Sequence, residues 1–235
     1  MQRREFIKRC AAGAAFFSVS PGGFADPSAK PQFYQRVKLL DVHNASIRAG
    51  QLAVNRNYIF HYPYAGTPCF LLNLGKSAGG AITLKTEDGK LYQWPGGVGA
   101  SRSIVGYSAI CAHRLAYPTR QISFISFRPT VDKNSHATAR TIHCCAEHSE
   151  YDPASGGRVL GGPAKQPLAA ILLEHDAKSD ELFAVGTLGG ELFNAFFEKY
   201  DFKLQLEHGP GARKPVANSV IVTELNDFCQ QEVRC

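Results

Sequence analysis

Two short pieces of the chain limit what it can fold into: Cys111-Ala112-His113, after the apolar run 103–110, and Cys145-Ala146-Glu147-His148, after the β-like run 138–144. Each piece offers one thiolate and one imidazole. Together they make a donor set of two Cys and two His, which is a metal constellation. A fold that uses it must bring together two loops whose cysteines have 33 residues between them. Zinc accepts the same ligands, but structural zinc sites usually place Cys beside Cys and His beside His along the chain. Here each loop carries one of each, Cys first. That order suits a two-iron centre in which one iron takes both Cys and the other both His.

The residues that follow extend the pattern: Ser149, Tyr151, Asp152 and Pro153, then Gly156, Gly157, and Gly161-Gly162-Pro163-Ala164 with Pro167. Over residues 103–168 the chain resembles the high-potential Rieske iron–sulfur proteins, whose signature is Cys-x-His, later Cys-x-x-His, and a Gly-Pro-Ala loop. The resemblance implies a 2Fe–2S cluster held by Cys111, His113, Cys145 and His148. It implies an all-β fold, an antiparallel β-sandwich or barrel base over 33–208 with an inserted cluster-binding subdomain at 103–168. Ser149 and Tyr151 become candidates for hydrogen bonds to a bridging sulfide and a ligand sulfur, against the plainer reading of a turn serine and a core tyrosine. Two His ligands in place of two Cys raise the potential to about −150 to +300 mV, against about −400 mV for an all-Cys plant-type cluster.

The chain departs from the family at several points. The second cysteine that many members carry in each loop, forming a disulfide clamp, is replaced by Ala116 and Glu147. Arg114 follows His113 where quinol-oxidising members tend to have Leu. Cys144 and Cys145 are adjacent, and in extended chain adjacent side chains point to opposite sides, so only one can face a metal. Cys145 gives the required two-residue gap before His148 and is the expected ligand, leaving Cys144 as a buried thiol or disulfide partner.

Residues 1–25 read as an export signal rather than fold: Arg3-Arg4-Glu5-Phe6-Ile7-Lys8 has the twin-arginine pattern, a short apolar run 10–20 follows, and Gly23-Phe24-Ala25 suits cleavage. The stretch 10–25 is short for a spanning helix and contains Pro21, so cleavage is expected, with retention as a membrane anchor the alternative. Export implies the periplasm. The formal charge of +6 falls to +3 without this segment, too little to predict a nucleic-acid partner.

Residues 33–95 read as strands at 37–42, 57–64, 69–74 and 81–85, with Asp88-Gly89 turning a hairpin between 82–85 and 91–94. Further strands are expected at 104–110, 121–128 and 140–144, a polar loop at 130–137, a hairpin from 169–175 to 181–186, a short helix at 191–200, and a C-terminal extension at 209–235. Lone His43 and His61 are read as surface or structural residues. With Cys10 in the signal and two cysteines on the cluster, Cys69, Cys144, Cys229 and Cys235 remain. Cys229 with Cys235 and Cys69 with Cys144 are both open pairings, and spacing does not choose between connectivities.

The function expected is one-electron transfer between a respiratory dehydrogenase or oxidase and a cytochrome c, the chain itself being a carrier. The alternative is the quinol-oxidising subunit of a cytochrome bc type complex. An oxygenase component would need a mononuclear iron site, and only His175 and His208 follow the cluster boxes.

Overall fold

The structure, a computed structural model, describes residues 28–130 and 138–235. The export segment at 1–25 and nearly all of the 130–137 loop therefore lie outside the described residues.

The first half of the chain forms β1 (Gln32–Leu40), β2 (Tyr58–His61), β3 (Pro68–Asn73), β4 (Ile82–Lys85), β5 (Leu91–Trp94) and β6 (Ile104–Ser108). Then come β7 (Ile122–Ser123), β8 (Ile125–Arg128), β9 (Thr141–Cys144), β10 (Ser149–Asp152) and β11 (Arg158–Gly161). After these follow β12 (Ala170–Asp176), β13 (Glu181–Leu188), α1 (Phe193–His208), β14 (Ser219–Ile221), β15 (Thr223–Glu224), α2 (Leu225–Phe228) and β16 (Gln231–Glu232). The fold is all-β, as expected.

Eight strands make the base sheet, in the order β14-β1-β13-β12-β6-β3-β2-β15. Its two outer strands are consecutive in sequence, with only the buried Val222 between them, so one run of tail closes the sheet toward a barrel. Val222 N–H donates to Leu40 O at 2.7 Å and Leu225 N–H to Asn57 O at 2.8 Å. The arrangement covers both sheet edges, which would otherwise expose unpaired backbone groups. The stretch read as a C-terminal extension thus supplies strands of the base.

β3 is buried along its whole length, as a central strand covered on both faces must be. Its residues alternate: Cys69 and Leu71 join a cluster with Val37, Phe60, Tyr62 and Leu182, while Phe70 and Leu72 join Tyr107, Phe127, Ile142 and Tyr151 on the other side. The second cluster fixes a smaller antiparallel sheet, β11-β10-β9-β8, against the base. That sheet carries the candidate site. The β4–β5 hairpin pairs Ile82 with Trp94, its turn using Gly89 at φ +87°. Where one strand was expected at 121–128, β7 pairs in parallel with β16 and β8 pairs with β9. The helix at 191–200 runs on to His208 through a break at Tyr200.

Candidate metal centre

The site begins with strand register. In the small sheet Ile125 stands opposite Cys144 and Cys144 opposite Ser149; in the next row Phe127, Ile142 and Tyr151 are aligned. Directly opposed residues of an antiparallel pair share a face. Cys144, Ser149 and Tyr151 therefore all project from one face, here called the front, and all three are buried. The intermediate row of Ser126, His143 and Glu150 projects from the back.

The loop after β6 brings Cys111 to the front. It is closed on itself by Cys111 N–H to Ala116 O at 2.8 Å and Leu115 N–H to Cys111 O at 2.9 Å, with Leu115 at φ +62°. Leu115 packs with Tyr117 and Phe196 of the aromatic cluster around α1, and Lys199 Nζ donates to Arg114 O at 2.6 Å. The Tyr151 hydroxyl lies 3.3 Å from Cys111 Sγ and accepts from Ala112 N–H at 3.2 Å. The thiols of Cys111 and Cys144 are partners. Hydrogen bonds from Cys144, then from Tyr151 and the N–H groups of His113 and Arg114, hold the Cys111 thiol below the usual pKa, against the opposing effect of burial. The hydrogen bond to Cys111, and then burial, push the Cys144 thiol up; burial, and then Cys111, push the Tyr151 phenol up.

His113 lies at the rim, its Nδ1 3.6 Å from Glu147 Oε2, while Arg114 Nε donates to Glu147 Oε1 at 2.6 Å. A third loop presses on the second. At Gly162, φ +80°, an added Cβ would stand 2.3 Å from His148 O and 2.6 Å from Ser149 Cα, so only glycine lets the Gly161–Ala164 segment approach this closely.

The back face is covered by the tail. Cys145 is disulfide-bonded to Cys235, and Cys69, Cys111, Cys144 and Cys229 are free. Ser126 Oγ donates to Glu232 Oε1 at 2.6 Å, Val233 N–H to Ser123 O at 2.9 Å, and Arg128 Nη2 to Val233 O at 2.5 Å. His148, at φ +58° and exposed, turns its ring onto His143 with centroids 5.8 Å apart. The donor atoms of His143, His148 and Cys235 all lie within 4.8 Å of one another.

Of the expected ligands, the structure brings Cys111 and His113 to the front and takes Cys145 and His148 to the back. The choice of Cys145 over Cys144 is corrected: the sulfur beside Cys111 is that of Cys144, because β9 parity places Ile142 and Cys144 on the buried face and Cys145 opposite them. Neither open disulfide pairing forms; Cys69 and Cys229 remain buried thiols. Ser149 and Tyr151 stand where a cluster's hydrogen-bond donors would, and Tyr151 is also a core residue. Glu147, beside His113, was missed as a candidate. The signal for Cys144 lies in the sequence: a four-residue connection, 145–148, sets Ser149 directly opposite Cys144, so Cys144 shares the face of Ser149 and Tyr151.

The front donor set fits an iron–sulfur cluster. Two buried thiols face one another, and the buried Nδ1 of His113 and Oγ of Ser149 have no hydrogen-bond partner. Buried polar atoms normally do. No described helix is long and apolar enough to cross a membrane.

Comparison with protein families finds no matching family model. Among solved structures, the chain is similar to the soluble domain of the Rieske protein II (soxF) from Sulfolobus acidocaldarius, with 23% identity and a TM-score of 0.45 over 67% of this chain and 82% of that one.

Proposed function

We propose that this chain is an electron-transfer protein that binds a 2Fe–2S cluster on the front of its small sheet. The supporting observation is the pair of buried thiols, Cys111 and Cys144, under the Tyr151 hydroxyl and next to the orphaned Ser149 Oγ and His113 Nδ1. Cys111 and Cys144 would hold one iron and His113 the other, with Glu147 as its second ligand. When bound, the cluster supplies reversible one-electron chemistry. With a metal on the Cys111 sulfur, Tyr151 would donate to it and Ser149 would offer a second donor; bonds of this kind favour the more negative, reduced state. Glu147 in place of an imidazole would add negative charge and would set the potential below that of a two-histidine centre. Arg114 offsets part of that charge through its contact with Glu147.

His113 is partly exposed at the rim, which leaves a short route from the site to a docked partner. The partner in this reading is a cytochrome c or a subunit of a respiratory oxidoreductase, met in the periplasm after export by the twin-arginine segment. The deciding experiment is iron and sulfide analysis with low-temperature EPR of the dithionite-reduced protein. A reduced 2Fe–2S signal that vanishes in Cys144→Ser and survives in Cys145→Ser is expected. Colourless protein without iron, or a signal indifferent to Cys144→Ser, overturns the proposal.

A further inference from the structure

The back of the small sheet holds a second concentration of metal-binding groups that the front site does not use. His143, on β9, aims Nε2 at Cys235 Sγ, 3.7 Å away, and its Nδ1 faces Glu150 Oε1 at 3.8 Å, with both side chains largely buried. That is the posture of a ligating histidine: one nitrogen toward the metal position, the other toward a carboxylate that fixes tautomer and ring orientation. The Nδ1 has no hydrogen-bond partner at present. His148 brings a second imidazole, and all three donor atoms fall within 4.8 Å of one another. The fourth donor is the bonded neighbour, Cys145 Sγ, which lies outside that group of three and would turn toward the imidazoles once the S–S bond breaks.

While that bond stands, neither sulfur is a thiolate, and a metal would find two imidazoles only. We infer that reduction of the Cys145–Cys235 disulfide creates a zinc site of Cys145, Cys235, His143 and His148 on the back of the cluster-binding sheet. The balance is simple. A dithiol reductant gives two electrons and two protons to the bridge and becomes a disulfide itself; the S–S bond breaks, leaving two thiols. Zinc then displaces both thiol protons to solvent. Tetrahedral zinc holds sulfur at about 2.3 Å and nitrogen at about 2.0–2.1 Å, which spaces its ligand atoms roughly 3.3–3.8 Å apart. The His143–Cys235 separation of 3.7 Å is already in that range, the separations among His143, His148 and Cys235 need at most about 1 Å of closure, and the two sulfurs must part to about 3.8 Å.

Reduction does not by itself free the tail. β16 stays paired with β7, and the bonds from Ser126 to Glu232 and from Val233 to Ser123 do not involve the bridge. Cys235 is therefore held near the histidines in both redox states. Arg128 Nη2, 3.4 Å from Cys145 Sγ, is placed to donate to a zinc-bound thiolate, while its positive charge opposes the metal; two thiolates outweigh it. The donors are distinct from Cys111, Cys144, His113 and Glu147, so the back site does not depend on a cluster at the front.

The test is zinc binding by the full chain, by competition with a chromophoric chelator, with the disulfide intact and after reduction with a phosphine. One additional equivalent of zinc in the reduced protein is expected, bound at least 100-fold more tightly than anything the oxidised protein gains at this site. His148→Asn, at an exposed position, should weaken that equivalent tenfold or more, and Cys235→Ser should abolish it. Cys144→Ser should leave it unchanged while removing the cluster signal, which separates this site from the front one. No redox-dependent equivalent, or one that is indifferent to His148→Asn and Cys235→Ser, overturns the inference. So does an equivalent lost in Cys144→Ser.

Discussion

Removing the Cys145–Cys235 bridge gives a large and calculable loss of stability. The bridge closes a loop of 90 residues, joining the connection between β9 and β10 to the last residue of the chain. In the chain-entropy treatment, a loop of that length limits the unfolded ensemble by about 4.6 kcal/mol at 25 °C. The folded state changes little on removal, because the tail keeps its pairing with β7, the Ser126–Glu232 hydrogen bond and the contact of Arg128 with Val233. The cost therefore falls almost wholly on the unfolded side, and the double variant Cys145→Ala/Cys235→Ala should lose about 3–4.5 kcal/mol. For a domain whose total stability is about 5–15 kcal/mol, this is a large share. In guanidinium chloride the midpoint should fall and the slope should rise, since the open chain exposes more surface. In a thermal scan the same loss corresponds to roughly 6–18 °C. The wild type reduced by a phosphine, in the presence of a metal chelator, should match the variant. A loss under about 1 kcal/mol with an unchanged slope would refute the reasoning.

Gly162→Ala should destabilise the protein by at least about 2 kcal/mol in thermal denaturation, because the new Cβ meets His148 O at 2.3 Å at a backbone angle that L residues resist; an unshifted melt would show that the third loop is not held there. Tyr151→Phe removes the hydroxyl from Cys111 Sγ and leaves Ala112 N–H without its acceptor, for about 1–3 kcal/mol of stability, and in the cluster-bound protein it should lower the potential by tens of millivolts, about 60 mV per 1.4 kcal/mol, by voltammetry. His61 is held neutral down to about 3 from an ordinary 6.5, first by burial and then by His208 and Arg120. Below pH 6.5 the unfolded chain takes up this proton and the folded chain does not, so stability is lost as the pH falls from 6.5 toward 3. His61→Gln should remove up to about 2 kcal/mol of the stability difference between pH 7 and pH 5 in denaturant titrations, and an identical pH dependence in variant and wild type would dismiss the effect.

Much of the fold was written in local pattern. The hairpins β4–β5 and β12–β13 follow from alternating apolar residues around turn residues, Gly89 and Asp180 both adopting positive φ. The front of the small sheet was legible as a set of residue types, with Cys111, His113, Ser149 and Tyr151 all found there. The second thiol differs from the one that ligand spacing along the chain points to, because strand parity places Cys144 on the front and Cys145 on the back. Parity won: turning Cys145 inward would turn Ile142 on the same strand out of the core, and the two front rows, Ile125–Cys144–Ser149 and Phe127–Ile142–Tyr151, hold that register.

The sequence by itself determined the donors, the loops that carry them and the strands that deliver the loops, because period and turn chemistry act over a few residues. Only the tertiary structure decided which donors meet. The tail runs along one edge of the base sheet, crosses to the other through Val222, and docks on the back of the small sheet, and that path puts Cys235 beside Cys145 and His143. Pairings over such separations depend on where packed elements leave room for the chain, which no local pattern encodes. For the same reason four cysteines of similar context became two buried thiols, one front-face donor and one half of a bridge.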